Sequence, residues 1–68
     1  MDSQFDYKGH SVRVNTYAIG SGYRWQYQID MERTRDCEDR PLPDEALVLK
    51  EGEDAAKGVI DRRQAKGG

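Results

Sequence analysis

The stretch 23–31 places an apolar or aromatic side chain at every odd position and a polar one at every even position. A period of two over this length is typical of a β-strand with one buried face and one exposed face. Such a strand is not stable alone, and its aromatic face requires a cover. The pattern therefore predicts a sheet that buries Trp25 and Tyr27 and exposes Arg24 and Gln26.

Two earlier segments, at about 4–8 and 10–17, alternate in the same way. Lys8-Gly9 between them suits a two-residue turn, because glycine tolerates a positive φ. A loop at 18–22 with two glycines then leads to the third strand. We expect a three-stranded antiparallel meander, in which the first and third strands are open edges that offer one route to pairing with a second copy.

The turn also fixes the register of the first hairpin. It pairs Tyr7 with His10 and Phe5 with Val12, so that the hydrophobic residues of both strands share one face. With the third strand added, the predicted buried face consists of Phe5, Tyr7, Val12, Val14, Tyr23, Trp25, Tyr27, Ile29 and Met31.

The C-terminal part of the chain, at about 44–63, has a helical pattern. On a helical wheel its apolar residues form one arc with Gly52 in the middle, whereas Leu47 and Gly58 fall on the polar side. The arc contains Val48, Leu49, Ala55, Ala56, Val59 and Ile60. Small residues on this face predict close packing against the aromatic sheet. An alternative is a short fourth strand or a separate turn at 45–49, with the helix beginning near Glu51.

These elements predict one small α+β domain, residues 1–68, with the helix packed on one sheet face and a flexible tail at 64–68. The charged segment 32–41 is expected to be an exposed connection.

The chain has one cysteine and one histidine, which limits the disulfides and metal sites that it can form. One cysteine cannot form an internal disulfide, one cysteine and one histidine cannot form a closed zinc site, and the acidic loop lacks the spacing of a calcium loop. We expect no metal and no cofactor. Cys37, between Asp36 and Glu38, is expected to be an exposed, unreactive thiol that dimerises the protein in air.

No catalytic set of residues is evident. His10 would need a nucleophile or an orienting carboxylate, and Asp6 in the same hairpin should face away from it. A core this small also cannot frame a deep pocket. The chain is therefore expected not to be an enzyme, although an enzyme subunit whose chemistry lies on a partner chain is a distant alternative.

The distribution of charge and the hydropathy of the chain indicate its cellular compartment and the classes of partner that it favours. Residues 32–54 hold nine acids and four bases, whereas 55–68 hold one acid and four bases. The overall charge of −2 does not favour nucleic acid or an anionic membrane. From the residues at 1–5 and the lack of a long apolar run, we expect no signal peptide, no membrane span and a cytoplasmic protein.

The exposed sheet face is the predicted interaction surface, because its side chains make directional contacts. Its candidate binding residues are Arg13, Asn15, Arg24, Gln26 and Gln28. The leading hypothesis is a non-enzymatic binding or adaptor module for a protein partner, through this face or a strand edge, with a weak homodimer as a further expectation. The alternative is a nucleic-acid, chiefly RNA, binding module that adds Arg62, Arg63 and Lys66.

The order strand–strand–strand–helix over about 4–63 resembles the last two-thirds of a double-stranded-RNA-binding domain. Such domains contact phosphates through lysines at the start of the final helix, where this chain carries Asp44 and Glu45. The chain is also similar to short uncharacterised bacterial proteins with a tryptophan in the third strand and a closing helix rich in alanine and glycine. That second resemblance implies no activity.

Overall fold

The structure, a computed structural model, describes residues 1–37 and 39–67. An antiparallel sheet is formed by β1 (Asp2–Tyr7), β2 (His10–Ile19), β3 (Gly22–Ile29) and the two-residue β4 (Arg35–Asp36), in the order β1-β2-β3-β4. The helix α1 (Glu45–Gly67) packs on one face of this sheet. The predicted α+β class, with an antiparallel sheet and a C-terminal helix, is confirmed.

The register of the first hairpin is the predicted one. Tyr7 pairs with His10 and Phe5 pairs with Val12. The turn residues Lys8 and Gly9 have φ values of 50° and 83°, which are typical of the tight turns whose twist matches that of the strands.

The core lies between β2, β3 and α1. Its fully buried side chains come from the predicted faces of both layers, and Trp25 and Tyr27 pack against it with ring centroids 5.5 Å apart. The buried cluster consists of Val12, Val14, Ile29, Ala56 and Ile60. Leu47 is 48% exposed, as the helical wheel predicts.

Gly52 is where the helix approaches the sheet most closely. A Cβ added there would lie 2.7 Å from Val14 Cγ1 and 2.9 Å from Trp25 Cβ. A Cβ added at Gly58 would meet no atom within 4 Å. The packing role predicted for Gly52 is therefore confirmed, and Gly58 faces open space.

The segment after β3 differs from the prediction, since part of it forms a fourth strand. Tyr27 pairs with Arg35 and Gln26 with Asp36. Further along, Leu42 and Tyr23 exchange main-chain hydrogen bonds of 2.8 and 3.1 Å. The prediction of three strands was therefore wrong in number. Residues 35–37 and 42 cover the outer edge of β3, because its unpaired N–H and C=O groups need partners.

The third strand ends two residues earlier than predicted. Asp30 and Met31 have φ values of 50° and 63°, outside the range of a strand. Met31 is 91% exposed, so its predicted place on the buried face was wrong. The Asp30 N–H donates to the Ser11 carbonyl oxygen at 2.8 Å, and this bond ends the β2–β3 pairing.

The helix begins at Glu45, so the alternative with a strand or turn at 45–49 was wrong. Asp44 caps the helix, because its Oδ1 accepts a hydrogen bond of 3.2 Å from the Leu47 N–H. The helix continues to Gly67, past the predicted end at 63. The flexibility of 64–68 stays a prediction, and residue 68 lies outside the described residues.

Within 1–37 and 39–67, no helix combines the length and the apolar character that crossing a bilayer requires.

Candidate interaction surface

The five candidate binding residues lie on one surface, here called the polar sheet face. Because directly paired residues of antiparallel strands share a face, Arg13 stands beside Gln28 and Asn15 beside Gln26. Arg24 stands beside Tyr17 on the same side. This side is opposite the helix, since the intervening residues Val12, Val14 and Thr16 are buried. The structure thus brings all five together, and their binding role stays a prediction.

Two of the five side chains have a structural task. Arg24 Nε donates to the Asp39 carbonyl oxygen at 3.0 Å, and Gln28 Nε2 donates to the Glu32 carbonyl oxygen at 2.9 Å. Both bonds hold the connection between β3 and α1 against the sheet. The other three, namely Arg13, Asn15 and Gln26, form no side-chain hydrogen bond with another described residue. They are the members of the set that remain available to a ligand.

A depression of about 430 Å³ lies on the polar sheet face between β1 and β2. Asp2, Gln4, Arg13 and Asn15 supply its polar side chains. It combines a carboxylate, two amides and a guanidinium, so it offers hydrogen-bond donors and acceptors side by side. Because the depression adjoins β1, its ligand would also lie near the outer edge of the sheet.

The outer edge of β1 presents unpaired main-chain groups. In a hairpin with a two-residue turn, the closing pair, here Tyr7 and His10, exchanges main-chain hydrogen bonds. Along β1 the N–H and C=O groups of successive residues then point alternately toward β2 and away from it. Asp2, Gln4 and Asp6 therefore direct their N–H and C=O groups away from β2. The bond of 2.9 Å from the Thr16 N–H to the Met1 carbonyl oxygen fits this alternation.

His10 has a carboxylate partner that the sequence did not reveal. Its Nδ1 lies 2.5 Å from Asp30 Oδ2, and Asp30 Oδ1 accepts the Ser11 N–H at 2.8 Å. The hydrogen bond from His10, followed by that from Ser11, lowers the pKa of Asp30. Asp6 pairs with Ser11 and faces the other way, as predicted. Ser11 follows His10 in β2, so its side chain lies on the opposite face of the sheet, and the His10–Asp30 pair closes the end of the sheet.

Cys37 is buried, with 8% of its surface exposed, so the expectation of an exposed thiol was wrong. Its N–H donates to the Trp25 carbonyl oxygen at 2.9 Å, which continues the β4 pairing by one residue. The alternation of the strand then turns the thiol toward the helix side, beside Val48 and Leu42.

A second concave surface, here called the arginine groove, was not anticipated from the sequence. It lies between β3, the following connection and the C-terminal half of α1, and it contains Arg33, Arg35, Arg62 and Arg63. The two pairs of arginines are far apart along the chain, so only the alternation at 33 and 35 could have suggested a shared face. Within the described part of the chain, no group of three or more potential metal ligands occurs.

No family model matches the chain, and no curated protein or solved structure matches it. The resemblance to double-stranded-RNA-binding domains and to short bacterial proteins therefore stays a prediction. The functional conclusion depends on the surfaces described above.

Proposed function

We propose that this protein is a cytoplasmic, non-enzymatic interaction module that binds an extended segment of a partner protein along β1. One observation carries the proposal: β1 offers a six-residue edge with outward main-chain groups beside a polar depression. The helix covers one sheet face, and residues 35–37 and 42 occupy the edge of β3. Strand addition at an exposed edge is a recurring mode of peptide recognition.

The side chains along β1 specify the partner's chemistry. An added strand would place every second side chain on the polar sheet face beside Asp2, Gln4 and Asp6. Opposite charges across a strand pair are stabilising and like charges are destabilising. The partner segment therefore carries basic or amide residues at these alternate positions, and one of them enters the depression near Asn15.

A second copy of the chain is a poorer partner for this edge. In the antiparallel register that pairs all three outward residues of β1, centred on Gln4, Asp2 of each copy would face Asp6 of the other. Two pairs of facing carboxylates oppose this self-association.

The nucleic-acid alternative has weaker support from the geometry. Arg13 and Arg24 lie on the polar sheet face, whereas Arg62 and Arg63 line a groove on the helix side. The polar sheet face also includes Asp2, Asp6 and Asp36, which repel phosphates. The two basic groups therefore do not form one continuous surface.

A proline at position 4 tests the proposal. Gln4→Pro removes an outward N–H that an added strand needs, yet it leaves the β1–β2 bonds in place. The matched control, Gln4→Ala, changes the same side chain and keeps the N–H. The three forms are immobilised and incubated with cytoplasmic extract and, separately, with a peptide of alternating lysine and threonine, and bound material is quantified.

We expect the wild type and Gln4→Ala to retain the peptide and the same extract proteins, and Gln4→Pro to lose both. Tryptophan fluorescence of Trp25 verifies that each variant is folded. Equal retention by Gln4→Pro would exclude the β1 edge. Salt-sensitive capture of RNA, lost in Arg13→Glu/Arg24→Glu, would favour the nucleic-acid alternative instead.

A further inference from the structure

The arginine groove is a second candidate site, on the opposite side of the sheet from the surface proposed above. Its volume is about 400 Å³. Tyr27 and Val59 contribute its walls, and four arginines and Glu32 surround it. The chain contains seven arginines and has a net charge of −2, so the concentration of four of them around one groove is a pronounced local excess of positive charge.

The fold explains why these arginines meet. Arg35 pairs with Tyr27 across β3 and β4, and paired residues share a face, so Arg35 extends toward the helix side. On the helix, Arg62 and Arg63 follow Val59 by three and four residues and therefore lie on the same side of α1. The pairing of a two-residue strand thus assembles a cluster from two distant parts of the chain.

One guanidinium in the groove is already neutralised. Arg63 Nη1 and Nη2 donate to the two carboxylate oxygens of Glu32 at 3.0 and 2.8 Å. This bidentate bond lowers the pKa of Glu32 and raises the pKa of Arg63. The other three, on Arg33, Arg35 and Arg62, form no ion pair with any residue in the described ranges. Neighbouring like charges repel each other, so an anion in the groove would relieve this repulsion.

We propose that the arginine groove binds the phosphate group of a small phosphate monoester. A phosphate monoester carries nearly two negative charges and three terminal oxygens at neutral pH, which match the three guanidinium forks of Arg33, Arg35 and Arg62. A carboxylate brings one charge and two oxygens, and Glu32 already fills that role. The Tyr27 ring and Val59 provide apolar surface for the organic part of the ester. The volume of about 400 Å³ is that of a site for one small ligand.

Titration followed by NMR tests this assignment on the whole chain. The probes are phenyl phosphate, inorganic phosphate and acetate, and the amide signals of 33–35 and 59–63 are monitored. We expect saturable binding of phenyl phosphate with a Kd on the order of 1 mM, weaker binding of inorganic phosphate and no saturation by acetate. Arg35→Gln/Arg62→Gln should weaken binding of phenyl phosphate by about tenfold or more. The control Arg13→Gln, on the polar sheet face, should change it less than about twofold.

A second pair of variants tests a change of binding affinity in the opposite direction. Glu32→Gln frees the Arg63 guanidinium and should tighten binding of phenyl phosphate several-fold. Asp36→Asn removes one negative charge nearby in sequence, but on the other face of the sheet, and should have a much smaller effect.

Several results would overturn the proposal. One is that Glu32→Gln and Asp36→Asn tighten the binding of phenyl phosphate equally. Another is that Arg35→Gln/Arg62→Gln and Arg13→Gln weaken it equally. A third is that acetate binds as tightly as phosphate. If inorganic phosphate bound as tightly as phenyl phosphate, the organic group would contribute nothing to binding, and a phosphate ester would be excluded as the specific ligand. If phenyl phosphate binds more tightly than inorganic phosphate, titrations with adenosine 5′-monophosphate and O-phosphoserine identify the class of ester. The tighter of the two shows which organic group the Tyr27 side of the groove accepts. The Gln4 variants leave this groove intact, so the two proposals fail independently.

Discussion

At the scale of single residues, two glycines of the same helix have opposite roles. Gly52 is buried against Val14 and Trp25, whereas Gly58 faces open space. Glycine disfavours helix relative to alanine by about 1 kcal/mol at either position. The sequence contains both, and only their surroundings decide what a methyl group does at each site.

We predict that Gly52→Ala and Gly58→Ala change stability in opposite directions. The added methyl at 52 overlaps atoms held by the sheet, and overpacking of this kind costs about 1–3 kcal/mol, more than the gain in helix propensity. At 58 the gain of about 0.5–1 kcal/mol remains. Urea unfolding of both variants measures the free energies. A Gly52→Ala variant as stable as Gly58→Ala would contradict the close approach of helix and sheet.

Met31 offers a second test at this scale. It is 91% exposed with a φ of 63°, so its side chain contributes little packing and its backbone is strained. A left-handed conformation costs a non-glycine residue roughly 1–2 kcal/mol. We expect Met31→Gly to raise the free energy of unfolding by about 0.5–1 kcal/mol. Met31→Ala keeps the strain and should give no gain; a gain from both would show that the side chain, not the backbone, is responsible.

At the scale of elements, carboxylates tie the helix to the sheet. Asp61 accepts hydrogen bonds from Lys8 Nζ at 2.6 Å and from the Tyr7 hydroxyl at 3.0 Å. At the other end of the helix, Glu45 accepts the Thr16 hydroxyl at 2.7 Å. The bond from Lys8 lowers the pKa of Asp61, and the bond from Thr16 lowers the pKa of Glu45. Two carboxylates, one in the first turn of α1 and one in its C-terminal part, thus tie the helix to the sheet, and both bonds favour the ionised form.

We predict a loss of stability in acid. A carboxyl group with a lower pKa in the folded state stabilises the fold above its unfolded pKa, and this contribution disappears as the pH falls through the folded pKa. The free energy of unfolding should therefore fall below about pH 4.5, as these carboxyl groups take up protons. Denaturant unfolding at a series of pH values measures it.

Asp61→Asn should flatten the acid limb of this profile, because the ionised acceptor is absent. The control is Asp54→Asn, an exposed carboxylate of the same helix without a hydrogen bond to a described residue. If Asp54→Asn flattened the profile equally, general charge repulsion would explain the pH dependence.

At the scale of the whole molecule, residues 35–37 and 42 cover the edge of β3, whereas the edge of β1 is open. The expected weak homodimer would use the β1 edge, where Asp2 and Asp6 of the two copies oppose each other. The burial of Cys37 also removes the readiest route to a disulfide-linked dimer. We therefore expect a monomer at neutral pH, with or without reductant.

We predict that Asp6→Lys converts this monomer into a dimer. The substitution turns two facing carboxylate pairs into two Lys–Asp pairs, which stabilise the antiparallel β1–β1 register. Sedimentation equilibrium measures the change in mass. Asp36→Lys makes the same change in net charge at β4, away from the β1 edge, and should stay monomeric. Dimerisation of both variants would point to net charge and not to strand pairing.

The strongly periodic segments were predictable from the sequence because their signals are local. The Lys8-Gly9 turn and the alternation of Phe5, Tyr7, Val12 and Val14 determine one register, and a slip by one residue would expose the valines. The arc around Gly52 likewise identifies the buried side of the helix. The five candidate binding residues were also predicted to lie on one face of the sheet, because the alternation of side chains along each strand is enough to assign them to it.

The remaining features depend on contacts between distant residues. Residues 32–41 have no periodic pattern, and β4 forms there because the edge of β3 needs main-chain partners. That pairing buries Cys37, turns Arg35 toward Arg62 and leaves β1 as the long free edge. The sequence by itself therefore determined the sheet register and the buried face of the helix, since both follow from local periodicity. Only the tertiary structure decided which edge is free and where the arginines converge, because both depend on the pairing of β3 with a segment that carries no periodic pattern of its own.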